Sequence, residues 1–183
     1  MKMNPTRQHI LETANRIVQQ QGATQLTIEA VARAAGLSKG GVLYHFPSKD
    51  ALIEAMINFH IDNFTHEFNN LVEQETPGAG RQLRAYIRSS RHEDQEANAA
   101  FTGLVAAIAN NPDLIETLRQ HYQSWQELAE QDGLPPALGT ILRLAVDGLW
   151  FADLLGLAPP EGKLREEVIE TLLRLARPQQ DKA

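Results

Sequence analysis

The stretch Thr27-Ile-Glu-Ala-Val-Ala-Arg-Ala-Ala-Gly-Leu-Ser-Lys-Gly-Gly-Val-Leu-Tyr-His-Phe46 decides how the front of this chain folds. Thr27 stands where it can cap a short helix over 28–35, whose Ile28, Val31, Ala32 and Ala35 share one face. Gly36 ends that helix, Ser38 caps the next, and a second short helix follows over about 39–45. Two short helices cross steeply only where a small residue stands at the crossing, and their turn needs a residue that tolerates positive φ. Ala32 and Gly36 supply these. Leu37 and Val42 fall where they plug the shared core, leaving Lys39, Gly40, Gly41, Tyr44 and His45 to face outward. A surface that is small, basic and rich in hydrogen-bonding groups suits the major groove of DNA. A plain helical hairpin would not need this coincidence of Ala, Gly and exposed donors.

Helical periodicity extends outward from this stretch in both directions, with no convincing period of two. Ile10, Ala14, Ile17 and Val18 form the inner stripe of a helix over about 4–21, closed by Gly22. Pro47-Ser48 breaks the chain and starts a long helix to about Glu75, and Thr76-Pro77-Gly78-Ala79-Gly80 is the clearest break of all. Helices are then predicted at about 81–91, 95–110, 113–131, 136–157 and 163–177, jointed at Asn111-Pro112, Gly133 to Pro136 and Ala158 to Pro160. The expected fold is all-α with about nine helices. A three-helix head over 1–47 precedes a helical body over 48–183.

Composition narrows the function classes. The 183 residues are 43% hydrophobic, enough for a buried core, and include no cysteine, which excludes disulfides and thiolate metal sites and fits a reducing cytoplasm. The start Met1-Lys2-Met3-Asn4-Pro5 has no apolar run behind it, so no signal peptide is expected. Ile141 to Ala158 is the most apolar stretch, but Arg143, Asp147 and Asp153 interrupt it, so it reads as a buried helix and no membrane partner is expected. The net charge of −6 conceals a division. Residues 1–49 carry six basic and two acidic side chains, and the remainder eleven basic and twenty-one acidic ones. A basic head and an acidic body suit contact with phosphate at one end only.

The run Leu37-Ser-Lys-Gly-Gly-Val-Leu-Tyr-His-Phe-Pro-Ser-Lys-Asp-Ala-Leu52 resembles the recognition-helix signature of the tetracycline-repressor (TetR) family of regulators, and Thr27-Ile-Glu-Ala-Val-Ala fits that family's preceding helix. The resemblance implies a homodimer in which each head reads half of a partly palindromic operator in double-stranded DNA. It implies phosphate contacts for Thr27 and Lys49, a DNA-facing position for Ser38, Lys39, Gly40, Gly41, Tyr44 and His45, and a core position for Phe46. The chain departs from the family's pattern at Leu43, where many members carry an aromatic residue; Tyr44 occupies the next position.

In the body, Ala145, Gly148, Ala152 and Gly156 recur at spacings of three or four and make a smooth stripe that another helix can approach closely. With Val168 and Leu172 of the last helix they are the candidate dimer interface; intrachain packing is the alternative. Asp147 lies on an otherwise apolar segment, and burying a carboxylate is costly unless it is paired. A cationic lipophilic effector could pair with it, with Phe101, Tyr122, Trp125, Trp150 and Phe151 as aromatic neighbours, or Arg143 could do so from within the chain. An anionic ligand would turn attention to Arg84, Arg88 or Arg119. His60, Asp62 and His66 do not complete a metal site, no cofactor is expected, and no catalytic motif is present, so an enzyme is not expected. The expected function is a transcriptional regulator, most simply a repressor released by a small lipophilic effector. A ligand-independent regulator or activator is the first alternative, and a helical small-molecule binder that does not touch DNA is the second.

Overall fold

In a computed structural model, which describes residues 4–90 and 114–178, every regular element is helical. Helix α1 (Pro5–Gln21) starts where the Asn4 side chain accepts from the backbone N–H groups of Thr6 and Arg7, with Pro5 fixing the first turn. It ends at Gly22, and a single 3-10 turn over Ala23–Gln25 leads to α2 (Ile28–Ala35) and α3 (Lys39–His45). Helix α4 (Lys49–Gln74) follows, then α5 (Arg81–Ser89), α6 (Leu114–Gln131), α7 (Pro136–Leu155) and α8 (Gly162–Leu175). That makes eight α-helices among the described residues, close to the expected nine; the helix expected over 95–110, and Phe101 on it, lie outside them.

The chain gathers into two compact units. The first takes the chain as far as Asp62 and includes the start of α6 as far as Arg119. Its core is the face of α1 that carries Ile10, Leu11, Ala14, Ile17 and Val18, closed by Leu26, Val31, Val42, Phe46 and, from α4, Leu52, Met56 and Ile57. Fully burying one such side chain stabilises by roughly 1.5–3 kcal/mol. The set is therefore large enough to hold α1, α2 and the short α3, which could not stand alone as a helix in water.

The second unit takes the chain from Asn63 and from Gln120 onward. Here α5 packs on α7 and α8, and Phe68, Leu83, Tyr86, Leu142, Leu149 and Leu173 are among the side chains that close the core. Two approaches are close enough to exclude a Cβ atom: one added at Gly139 would lie 2.0 Å from the Ala129 carbonyl oxygen, and one at Gly80 equally near that of Ala176. Gly80 sits at the N-cap of α5 and has no side chain to satisfy the first N–H groups. Asp132 does so instead, its carboxylate accepting from Gln82 and Leu83 at 3.1 and 2.8 Å. Arg84 joins three chain segments by donating to the carbonyls of Thr76, Ala79 and Ala176 and to the Glu75 carboxylate, which Arg88 also binds.

Candidate nucleic-acid interface and candidate binding pocket

The geometry of α2 and α3 follows from four local devices. Thr27 Oγ1 accepts from Ala30 N at 3.0 Å, Ser38 Oγ from Gly41 N at 3.0 Å, and Ser48 Oγ does the same for Ala51 at the start of α4. Gly36 turns the chain with φ 69° and ψ 27°, a left-handed conformation that costs other residues energy. Leu37 N then donates back to Ala32 O at 2.9 Å, and Ala32 is buried at the crossing as its size requires. Val42 and Phe46, 0% and 1% exposed, root α3 in the core.

With that face anchored, the opposite face is left for a partner. Lys39, Gly40 and Tyr44 are exposed, Tyr44 to 86%, while Gly41 and His45 are half-buried. Tyr44 meets the His45 ring edge-on with centroids 5.1 Å apart. A Cβ at Gly40 would meet no atom nearer than Ser38 Oγ at 3.9 Å, so the fold itself would accept a side chain there. Its absence keeps the outer surface low. Thr27 and Lys49 are exposed at the starts of α2 and α4, where the positive ends of two helix dipoles also lie. One feature that the motif did not reveal is the ion pair between Lys39 Nζ and the Glu29 carboxylate, 2.6 Å apart with both side chains mostly exposed. That hydrogen bond from Lys39 lowers the pKa of Glu29, but an exposed pair is weakly held and easily exchanged for another anion.

Within the second unit, Phe64 and Phe68 of α4, Tyr86 of α5 and Trp125 of α6 form a set of rings with neighbouring centroids 5.3 to 6.3 Å apart; Tyr122 joins it through Trp125 at 5.0 Å. A cavity of about 10 Å³ lies among Phe68, Leu83, Tyr86, Trp125, Leu128, Ala129 and Arg143, room for about one water. Asp147 is buried beside these rings. Its carboxylate accepts from Tyr86 Oη at 2.6 Å and from Arg143 Nη1 at 2.5 Å. Arg143 Nε also donates to Gln126 Oε1 at 2.8 Å. Burial pushes the Asp147 carboxyl above its usual range even though Tyr86 and Arg143 pull it down. Burial and the Asp147 charge together push the Tyr122 phenol up to about 12, and Tyr86 is raised by the same causes.

The expected pocket set therefore divides. Tyr122, Trp125 and Asp147 come together, and Asp147 has the intrachain partner Arg143 that was its alternative reading. Trp150 and Phe151 meet edge-on with centroids 4.9 Å apart and do not line the cavity, and Phe151 is 39% exposed. Phe64, Phe68 and Tyr86 were missed, although Phe64 and Phe68 share a helical face at i, i+4, and Tyr86 lies on the apolar face of α5 with Leu83 and Ile87. Among the arginines expected to meet an anion, Arg84 and Arg88 are bound to Glu75, and Arg119 pairs with Glu116. The arginine at the cavity is Arg143.

The small-residue stripe is also redrawn. Gly148 is exposed, but Ala145 and Val168 pack on the unit's own core, Ala152 is half-buried, and Leu172 is 8% exposed within that core. Gly156 ends α7 with φ 64°. The outward apolar face instead comprises Ile141, Leu144, Phe151 and Leu155 of α7, set around Gly148, with Leu164 and Leu175 exposed on α8. Among the described residues no group of three metal-ligating side chains gathers, and His60 lies 3.1 Å from Asn15. No described helix is long and apolar enough to cross a membrane.

The chain is similar to known proteins over most of its length. Residues 10–56 match the bacterial regulatory proteins of the tetR family, and residues 80–177 match the tetracyclin repressor-like C-terminal domain. The chain is 33% identical over 69 residues to the HTH-type transcriptional regulator YuxN of Bacillus subtilis, a match covering 37% of this chain and only 24% of YuxN. It is 25% identical over 179 residues to the regulator EthR of Mycolicibacterium smegmatis, covering 91% of this chain and 82% of EthR. Among solved structures, the multidrug binding protein EbrR complexed with malachite green superposes with a TM-score of 0.72 at 23% identity, over 94% of this chain and 98% of EbrR. At that identity the likeness establishes a shared fold.

Proposed function

Because the chain belongs to the tetR family of bacterial regulatory proteins, we propose that it is a transcriptional regulator that grips double-stranded DNA with α3 and releases it when a small lipophilic molecule enters the second unit. The single observation that carries the DNA reading is the two-faced α3, held from within by Val42 and Phe46 and leaving Lys39, Gly40 and Tyr44 bare. Tyr44 and Lys39 offer donors to base edges, and Gly40 lets the helix lie close to the groove floor. Thr27 uses its hydroxyl oxygen to cap α2, which leaves the O–H free to donate to a phosphate oxygen, and Lys49 adds charge at the next helix start.

A single α3 reads too few bases for tight binding, so the reading includes a homodimer on a partly palindromic operator. Its support is the exposed apolar face of α7 and α8, a feature normally covered by a partner. At Gly148 an added Cβ would meet nothing within 4 Å among the described residues, so the smoothness there serves no packing among them. The cytoplasm is the compartment in which such a regulator would act, and repression is the simplest outcome of occupying a promoter. The effector role is supported by the ring-lined cavity, and by the malachite green and ethidium complexes of EbrR, a protein of the same fold. The test is a gel shift on the DNA upstream of the protein's own gene, with light scattering on the same samples. Wild type should retard that DNA as a dimer, and Gly148→Glu should be monomeric and fail to bind tightly. A monomeric wild type that binds with full affinity would overturn the dimeric part. No retardation by the wild type would overturn the whole.

A further inference from the structure

We infer that Arg143 occupies the place of a cationic effector: its guanidinium is a built-in counter-ion for Asp147, which a lipophilic cation displaces as it enters among the rings of Tyr86, Trp125 and Tyr122. The inference rests on the ligand-responsive reading above and names the ligand's chemical class and the residue it competes with.

Three features of the pocket carry it. First, the two charges are unequally free to move. Both side chains are largely buried, but Asp147 is short and held by the Tyr86 hydroxyl, whereas the Arg143 guanidinium ends a long, flexible side chain whose second partner is the neutral amide of Gln126. When something enters, the guanidinium is the group that can swing toward water while the carboxylate stays. Second, the surroundings suit a positive charge. Aromatic faces attract cations by their quadrupoles, most strongly out of water; the two phenols stand near the carboxylate, and the indole packs against both of them. Third, the cavity is too small for any drug-sized molecule until a side chain leaves, and Arg143 is its one charged lining residue among the described residues. Removing that side chain from the cavity makes space and exposes a carboxylate in the same movement. Burial pushes the Asp147 carboxyl up in spite of Arg143, so the pair it already makes does not fully offset the cost of burying its charge.

The opposite assignment, an anionic ligand held by Arg143, would have to leave Asp147 buried without its charge partner, which is the costly arrangement. The two assignments predict opposite signs for the same substitutions. The experiment is calorimetric titration of the full chain, without DNA, by three probes of one shape: 4-butylbenzyltrimethylammonium, 4-butylbenzyl alcohol and 4-butylbenzoate. Wild type should prefer the ammonium. Arg143→Gln, which removes the competitor but keeps a hydrogen-bond donor, should bind the ammonium about tenfold more tightly. Asp147→Asn should reduce ammonium binding to the level of the alcohol and leave the alcohol unaffected; melting curves confirm the fold of each variant. If Arg143→Gln does not fold, Arg143→Met, which keeps the bulk of the stem and removes the charge, takes its place with the same tightening expected and the same weakening fatal. The inference is overturned if Arg143→Gln weakens the ammonium, if Asp147→Asn leaves it unchanged, if the benzoate binds best, or if no probe binds. DNA retention is scored separately: ammonium binding that fails to release DNA would refute the effector reading while the inference stands.

Discussion

Between Thr27 and Phe46 each cap is satisfied three residues along the chain, whereas around Tyr86 the decisive bonds join residues 49 to 92 apart. The two regions are both helical, and they differ in where their constraints come from. In the head, hydroxyl caps, a left-handed glycine and an apolar face of period 3.6 act within one or two turns, so neighbours in sequence are neighbours in space. In the second unit, a glycine gives up its own cap to a carboxylate some fifty residues away, and one arginine ties together the ends of α4 and α8. Local rules make a surface that can be read from the sequence; distant pairings make a pocket that must be seen.

The sharpest break of that contrast is expected at Arg84. Arg84→Met would leave the carbonyls of Thr76, Ala79 and Ala176 short of a donor and Glu75 with Arg88 alone. Both Arg84 and Glu75 are buried, so the loss should be about 3–5 kcal/mol, read as a lowered denaturation midpoint. A change below 1 kcal/mol would show that the long-range ties are not what holds the second unit.

Two glycines sharpen the same point. Gly139→Ala places a Cβ 2.0 Å from a backbone oxygen, and should destabilise by about 1–3 kcal/mol through forced separation of α7 from the end of α6. Gly148→Ala meets nothing among the described residues and, in the monomer, should be stabilising by up to about 1 kcal/mol because alanine favours the helix. Chemical denaturation of both variants measures this pair; equal effects would contradict the packing described here. The smallest effect belongs to the head, where Thr27→Ala removes one cap and should cost about 1 kcal/mol, with no change in the second unit's near-ultraviolet signal.

Much of the head was legible because its signals are local. The helix limits 28–35 and 39–45, the Thr27 and Ser38 caps, the turn at Gly36 and the burial of Val42 and Phe46 all follow from residue type and spacing. The Lys39–Glu29 pair was not, because two long side chains ten residues apart can meet only once the turn between their helices is known. In the second unit, the sequence identified Asp147 as a residue needing a partner and offered Arg143, one turn before it on the same helix. It could not supply Tyr86, which comes from another helix 61 residues earlier, nor the eclipse of Leu172 and Val168 by their own core. The small-residue spacing on α7 marked a helix that also carries exposed apolar side chains, but which of its faces stays open depends on what the rest of the unit covers.

The central claim is that α3 reads DNA with the side chains it leaves bare. Fluorescence anisotropy of a labelled fragment from upstream of the gene, titrated with wild type, Lys39→Ala and Tyr44→Ala over a range of salt concentrations, tests it most directly. The account predicts binding that weakens steeply with salt for the wild type, and a loss of about 1–3 kcal/mol for each variant at fixed salt, with fold and dimer unchanged. Full affinity in both variants, or a complex indifferent to salt, would contradict it.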